Sequence, residues 1–241
     1  MRRFVRGLLA PEGAFLSAFR PFQRLVAAHG AVNSLAQTLL KITAPGIPDF
    51  YQGAELWDLS LVDPDNRRPV DFAPRRALLE ALAARVAAAE AGSGDLTRLC
   101  GELLAHWPDG RVKLYLTHRA LALRRARSRL FTAGAYRGLA ASGPHADHVV
   151  ALARTDGPEA VIAVVPRLTA RLHGLTGRVP LGEPAWERTW VALGDEALAG
   201  VYRERFTGLA VASQPDEGGP RLPCPVLFAH FPVALLERTS A

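Results

Sequence analysis

Pro45-Gly46-Ile47-Pro48-Asp49-Phe50-Tyr51-Gln52-Gly53, running on through AELWDLSLVDPDNRRPVDF as far as Phe72, decides how the rest of the chain is read. Its first part, Ile47 to Tyr51, is a short element bracketed by Pro48 and Gly53. That is too short for a helix, and the pattern predicts a buried strand opening into a long polar loop. Upstream, apolar residues recur at Phe15, Ala18, Phe19, Phe22, Leu25 and Val26, the spacing of a helix with one buried face. Gly30 is expected to stop that helix. A second helix is then expected from about Ala31 to Ile42, closed by Pro45-Gly46. Downstream, Pro74 to Glu90 carries helix signals, Asp95 is placed to cap a helix reaching about Ala105, and Asp109 to cap another.

From about Leu130 the pattern changes to short β-branched and apolar runs separated by Gly and Pro. Strands are expected over His148–Arg154, Ala160–Pro166, Glu187–Leu193, Gly208–Val211 and Pro225–Phe231. Asp156-Gly157 and Gly194-Asp195 lie between runs, as hairpin turns would. A chain of 241 residues has room for two such units.

The net charge is +6, from 29 basic and 23 acidic residues, which raises nucleic acid as a partner. Lys41 and Lys113 are the only lysines. The densest basic run, Arg119, Arg124, Arg125, Arg127 and Arg129, falls on a predicted helix with no interleaved aromatic residues for base stacking, so it reads as a solvated face. No nucleic-acid partner is expected. Cys100 and Cys224 are too few and too far apart for a disulfide framework or a zinc site, and reduced thiols in a cytoplasm are the simplest reading. The basic, then apolar, residues Met1 to Ala10 are cut short by Pro11-Glu12-Gly13 before a signal-peptide core is reached. No run of about 18 apolar residues occurs, so no membrane span is expected.

The common catalytic patterns are absent: no Gly-x-Ser-x-Gly, no Gly-x-x-x-x-Gly-Lys, no Gly-x-Gly-x-x-Gly and no His-Glu-x-x-His. Neither a metal nor a cofactor is expected. The interval from Asp49 to Asp71 instead gathers Asp49, Glu55, Asp58, Asp63, Asp65, Asn66, Arg67, Arg68 and Asp71 around Tyr51 and Trp57. Carboxylates and arginines suit the directional hydrogen bonds of vicinal hydroxyls, and flat rings suit the C–H face of a pyranose. The same residues also suit a loop whose Asp, Asn and Pro simply make turns.

Pro45-Gly46-Ile47-Pro48-x-x-Tyr51-x-Gly53-x-Glu55 resembles the segment at the eighth strand of the barrel in the α-amylase family of glycoside hydrolases. Asp63-Pro64-Asp65-Asn66-Arg67-Arg68-Pro69-Val70 resembles the loop that follows it. With Glu55-Leu56-Trp57-Asp58 and Asp71-Phe72 the segment is most similar to the maltooligosyltrehalose synthase branch. Residues 30–41 and Trp107 to Tyr115 resemble that branch as well.

The resemblance implies a mixed α and β fold. Residues 1–90 would be the end of a (β/α)₈ barrel, with helices and the eighth strand, 91–129 would be connecting helices, and 130–241 a C-terminal antiparallel β-sandwich-like domain. It implies an intramolecular glycosyl transfer that turns the reducing-end α-1,4 linkage of a maltodextrin into an α,α-1,1 linkage. Catalysis there uses an Asp nucleophile, a Glu acid/base and a second Asp. These sit on earlier barrel strands, so no catalytic residue is assigned in this chain, and the remaining barrel portion is an expected partner. The substrate-binding candidates are Arg67, Asp63, Tyr51, Asp65, Asn66 and Arg68, with Arg67 on a hydroxyl of a maltooligosaccharide or glucan and Asp63 supporting it. Glu55 is read as a structural hydrogen-bonding partner. The alternative is a non-catalytic carbohydrate-binding or interaction module, in which Trp57, Trp186 and Trp190 hold glucan. Trp186 and Trp190 are four apart, which in a strand puts both on one face.

Overall fold

The computed structural model describes residues 1–172, 174 and 176–239. Its first half is helical: α1 (Arg2–Leu8), α2 (Ala14–Thr43), α3 (Phe72–Glu90), α4 (Leu96–Ala105), α5 (Arg111–Ala126) and α6 (Ser128–Thr132). The two acidic caps act where the sequence puts acids before an apolar run. Asp71 accepts from the Ala73 N–H at the start of α3, and Asp95 from Thr97 and Arg98 at the start of α4. Asp109 likewise accepts from the Arg111 N–H, at the first residue of α5.

Gly30 does not stop a helix. α2 runs for 30 residues straight through it and through Pro21. The reason is tertiary: Leu35, Leu39 and Ile42 are pinned in the core, and that burial outweighs the roughly 1 kcal/mol helix penalty of one glycine. The expected strand over Ile47 to Tyr51 is also absent, and Ile47 is 95% exposed. A strand exists only through hydrogen bonds to a neighbour, and among the described residues no strand lies beside these.

The second half builds two antiparallel sheets. Six strands are ordered β1-β3-β4-β9-β6-β7: β1 (Ala135–Leu139), β3 (Val149–Asp156), β4 (Glu159–Pro166), β9 (Ala234–Arg238), β6 (Val201–Glu204) and β7 (Ala210–Ala212). Three short ones form β2-β5-β8: β2 (Ala141–Ser142), β5 (Trp190–Ala192) and β8 (Arg221–Pro223). Asp156-Gly157 does turn a hairpin, with Asp156 opposite Glu159 and Gly157 at φ +58°. Gly194-Asp195 instead links β5 of the small sheet to β6 of the large one. Pro225–Phe231 is not a strand: Pro225 sits in the first turn of a short helix, Cys224–Leu227, and the strand follows at Ala234.

The central strands β3, β4 and β9 of the large sheet are largely buried on both faces, whereas β1 and β7 at its edges are exposed. Along β4, Val161, Ala163 and Val165 meet Leu39, Leu99 and the other helical side chains, while Ala160, Ile162 and Val164 meet Val191 and Leu222 of the small sheet. The layers are therefore helices, large sheet, small sheet. Trp186 plugs the outer core: it is fully buried on a helical turn, Glu183–Trp186, and donates to the Pro180 carbonyl.

The basic run is a solvated face only in part: Arg125 and Arg129 are exposed, and the others are partly or fully buried. Arg119 is buried and donates to the Arg205 carbonyl and to Glu90; Arg127 joins Glu159 and Glu237; Arg129 pairs with Asp156. Arg154, on β3, goes further. Only 2% exposed, it donates to the carbonyls of Thr43, Leu130, Phe131, Gly134 and Ala135. Those of Thr43, Leu130 and Phe131 belong to the last turns of α2 and α6, where helix carbonyls have no partner of their own. Glu204 does the converse with N–H groups. It is buried and accepts from Phe206, from Thr207 twice and from Leu235; burial pushes its carboxyl up, and these donors oppose that.

Replacing Arg154 by Met leaves five carbonyls around an apolar side chain, and is expected to cost about 3 kcal/mol or more in urea unfolding. The first buried residue of α2 is Val32, and Phe15, Phe19, Phe22 and Val26 are exposed. Timed trypsin digestion with mass spectrometry is therefore expected to cut at Arg24 well before the hairpin of β3 and β4. Equal resistance in both regions would contradict that order.

Candidate functional site

The loop from Gly53 to Asp71 closes on itself. Gly53 has φ +83°, and a Cβ there would lie 3.2 Å from a Val70 methyl, so only glycine lets the two ends approach. Arg75, in the first turn of α3, ties the closure. Its guanidinium donates to the Asp71 carbonyl (2.9 Å) and the Gly53 carbonyl (3.5 Å), and pairs with Glu55 at 2.9 Å. Glu55 is thereby held at the base, facing Arg75 and away from the tip.

Beyond the base, the chain docks on the helices at Leu56 and Trp57. The Trp57 indole N–H donates to the Trp107 carbonyl at 2.6 Å, and the two rings meet edge to face with centroids 6.2 Å apart. From Asp58 onward the contacts turn inward on the loop itself. Asp58 accepts from the Ser60 N–H, and these Ser60 hydrogen bonds hold its carboxyl low. Asp65 accepts from the Leu61 N–H at 3.0 Å and pairs with Arg68. Asp63 and Arg67 pair at 2.7 Å across a turn of 3₁₀ helix, Asp65–Arg67, that follows a cis Asp63-Pro64 bond. Gln52 reaches across to the Arg68 carbonyl at 3.3 Å.

Five of the six candidates thus form one patch. Asp63, Arg67 and Arg68 are exposed, Asp65 is half-buried beneath them, and Asn66 turns its amide oxygen inward with no partner among the described residues. Arg67 spends its Nε on Asp63, which leaves the outer edge of its guanidinium facing solvent. Tyr51 stands apart. It is 49% exposed, and no hydrogen bond or ring contact joins it to Arg67 or Asp63 among the described residues.

Three features were not anticipated from the sequence. The loop tip is apolar as well as charged, with Leu59, Leu61 and Val62 all more than three-quarters exposed. Trp107 and Gln52, which hold the loop, are separated from their partners by 50 and 16 residues, so no local pattern marks them. A groove of about 950 Å³ opens between α3 and α5, lined by Phe72, Leu79, Leu114, His118 and Leu121, and it touches none of the six candidates. The tryptophan module is corrected too. Trp186 is core and not in a strand, Trp190 lies beneath the Arg221 guanidinium at 4.0 Å, and Trp57 is packed on Trp107. The three rings offer no common face.

Among the described residues no group of three or more His, Cys, Asp or Glu is placed to hold a metal ion, and no helix is long and apolar enough to cross a membrane.

No known family model matches the chain. The putative maltooligosyl trehalose synthases of two strains of Mycobacterium tuberculosis are 36% identical to it over 213 residues, 88% of this chain and 21% of theirs. The maltooligosyltrehalose synthase of Arthrobacter ramosus superposes with a TM-score of 0.69 at 33% identity, covering 99% of this chain and 26% of that one. A mutant of the same enzyme gives 0.72 at the same identity and coverage. A further maltooligosyl trehalose synthase structure, 24% identical, shares the fold with a TM-score of 0.62. The chain spans about a fifth of the length of the curated relatives it matches. In sequence and in fold it is therefore similar to about a quarter of the length of the maltooligosyltrehalose synthases.

Proposed function

We propose that the chain supplies one wall of the sugar site in an intramolecular glycosyltransferase. That enzyme would convert the reducing-end α-1,4 linkage of a maltodextrin to the α,α-1,1 linkage of a trehalosyl end. The Asp63–Arg67 pair carries this reading. An arginine held at its Nε by a carboxylate presents its remaining donors in a fixed direction, the arrangement that binds a hydroxyl without ordering a free side chain first. The exposed Leu59, Leu61 and Val62 beside it provide apolar surface for the C–H face of a glucose ring.

The chemistry of bond exchange falls to other residues. A retaining pair of carboxylates stands about 5 Å apart on either side of the glycosidic bond. Here Asp63 is engaged by Arg67, Asp65 by Arg68 and the Leu61 N–H, and Glu55 by Arg75 at the base. These are local pairings on one loop and at its base, which do not set two carboxyl groups across a glycosidic bond. On this reading residues 1–90 complete a barrel with a larger portion carrying the catalytic carboxylates, residues 91–129 connect, and 130–241 form the terminal β-sandwich-like domain.

Purified chain incubated with maltopentaose is expected to yield no trehalosyl product by chromatography; robust isomerisation would overturn the assignment of catalysis to residues elsewhere. In titration calorimetry with maltoheptaose, Arg67→Ala is expected to weaken binding about tenfold while circular dichroism stays unchanged. Unchanged affinity would remove Arg67 from the sugar site.

A further inference from the structure

Among 29 basic residues the chain has two lysines, and they make the same contact twice. Lys41, in the last turn of α2, donates from Nζ to the Asp49 carbonyl at 2.8 Å and lies 3.8 Å from the centroid of Phe50, the next residue. Lys113, in the first turn of α5, donates to the Leu56 carbonyl at 3.2 Å and lies 5.7 Å from the centroid of Trp57, again the next residue. Each ammonium thus grips a backbone carbonyl and the ring that follows it. The two grips fall on either side of Tyr51-Gln52-Gly53, where the loop departs.

The ground beneath the second grip is closely fitted. Gly110, one turn before Lys113, has φ +80°, and a Cβ there would meet the Trp57 nitrogen at 3.1 Å and Leu56 at 3.2 Å. The charges facing the lysines are few: Asp49 for Lys41, and Asp58, Glu55 and Lys41 itself for Lys113. Burial draws both ammonium groups below the ordinary lysine value, Lys113 being the more enclosed. The tip from Asp58 to Arg68 bonds to itself and, through the Arg68 carbonyl, to Gln52 inside the gripped segment. Its place relative to the helices is inherited from that segment and from the Arg75 tie.

We propose that Lys41 and Lys113 are positioning residues for the sugar loop, fixing Asp49 to Trp57 against α2 and α5 and so setting where Asp63 and Arg67 meet a maltooligosaccharide. This rests on the reading of the loop as a sugar wall.

Hydrogen exchange followed by mass spectrometry on the full chain, paired with maltoheptaose titration, separates the two ideas. In a Lys41→Met, Lys113→Met double variant, peptides covering residues 52–70 are expected to exchange about tenfold faster, with residues 149–166 unchanged and maltoheptaose affinity reduced. The Lys41→Arg, Lys113→Arg variant keeps a long cationic donor at each site and is expected to restore both loop protection and affinity. Unaltered loop exchange in the methionine variant, an equal rise in the 149–166 hairpin, or failure of the arginine variant to restore protection would each overturn the proposal. So would a loosened loop that binds maltoheptaose as tightly as before. If the unsubstituted chain binds no maltoheptaose, the carbohydrate reading falls, and loop exchange still decides whether the lysines anchor the loop.

Discussion

One buried guanidinium organises the junction between the helices and the sheet. Arg154 enters the interior with no carboxylate beside it among the described residues, and its charge is stabilised instead by carbonyl dipoles at the ends of two helices and the approach to β1. Phe131 lies between it and Arg124, which donates in turn to the Ile42 and Gly46 carbonyls. α2, α6 and β3 therefore meet at a polar node surrounded by apolar packing. Such a node tolerates little displacement, because each shifted carbonyl loses its donor in a place water does not reach. The orientation of α2, and with it the start of the loop, follows from that node.

The loop shows a second kind of order. Its base is fixed by long-range contacts from Arg75, Trp107 and the lysines, whereas its tip is fixed by residues two to four positions apart. A tip organised locally keeps its internal shape wherever the base carries it. Recognition geometry and placement are thus set by different residues, and each can change without the other.

How far the sequence could be read follows the same division. The start of α4 was legible because Asp95 acts on amides two and three residues on, α3 because Pro74 falls in its first turn, and the β3–β4 hairpin because its apolar runs and its Asp-Gly turn are local. Asp63 with Arg67 was legible for the same reason, four residues apart across Pro64. What depended on distant partners was not. Ile47 to Tyr51 has the composition of a strand and no strand beside it; Gly30 is overruled by a core built from α5 and β4; Trp186 and Trp190 are parted by an intervening turn at Glu187, whose φ is +44°. The arginines of α5 and its exit show the limit most clearly. Their partners Glu90, Glu159 and Glu237 lie on α3, β4 and β9, far apart along the chain, and no count of charge foretells the pairing.

α2 is also anchored unevenly. Thirty residues at about 1.5 Å each make a rod of about 45 Å, and its two ends have different duties. The far arm presents Phe15 stacked on Phe19 with Phe22 close by, all open to solvent, while the near arm ends at Lys41 and the Asp49 carbonyl. Leu35, Leu39 and Ile42 clamp the near arm in the core, so the loop begins at the fixed end of the rod and the exposed rings stand at the free one.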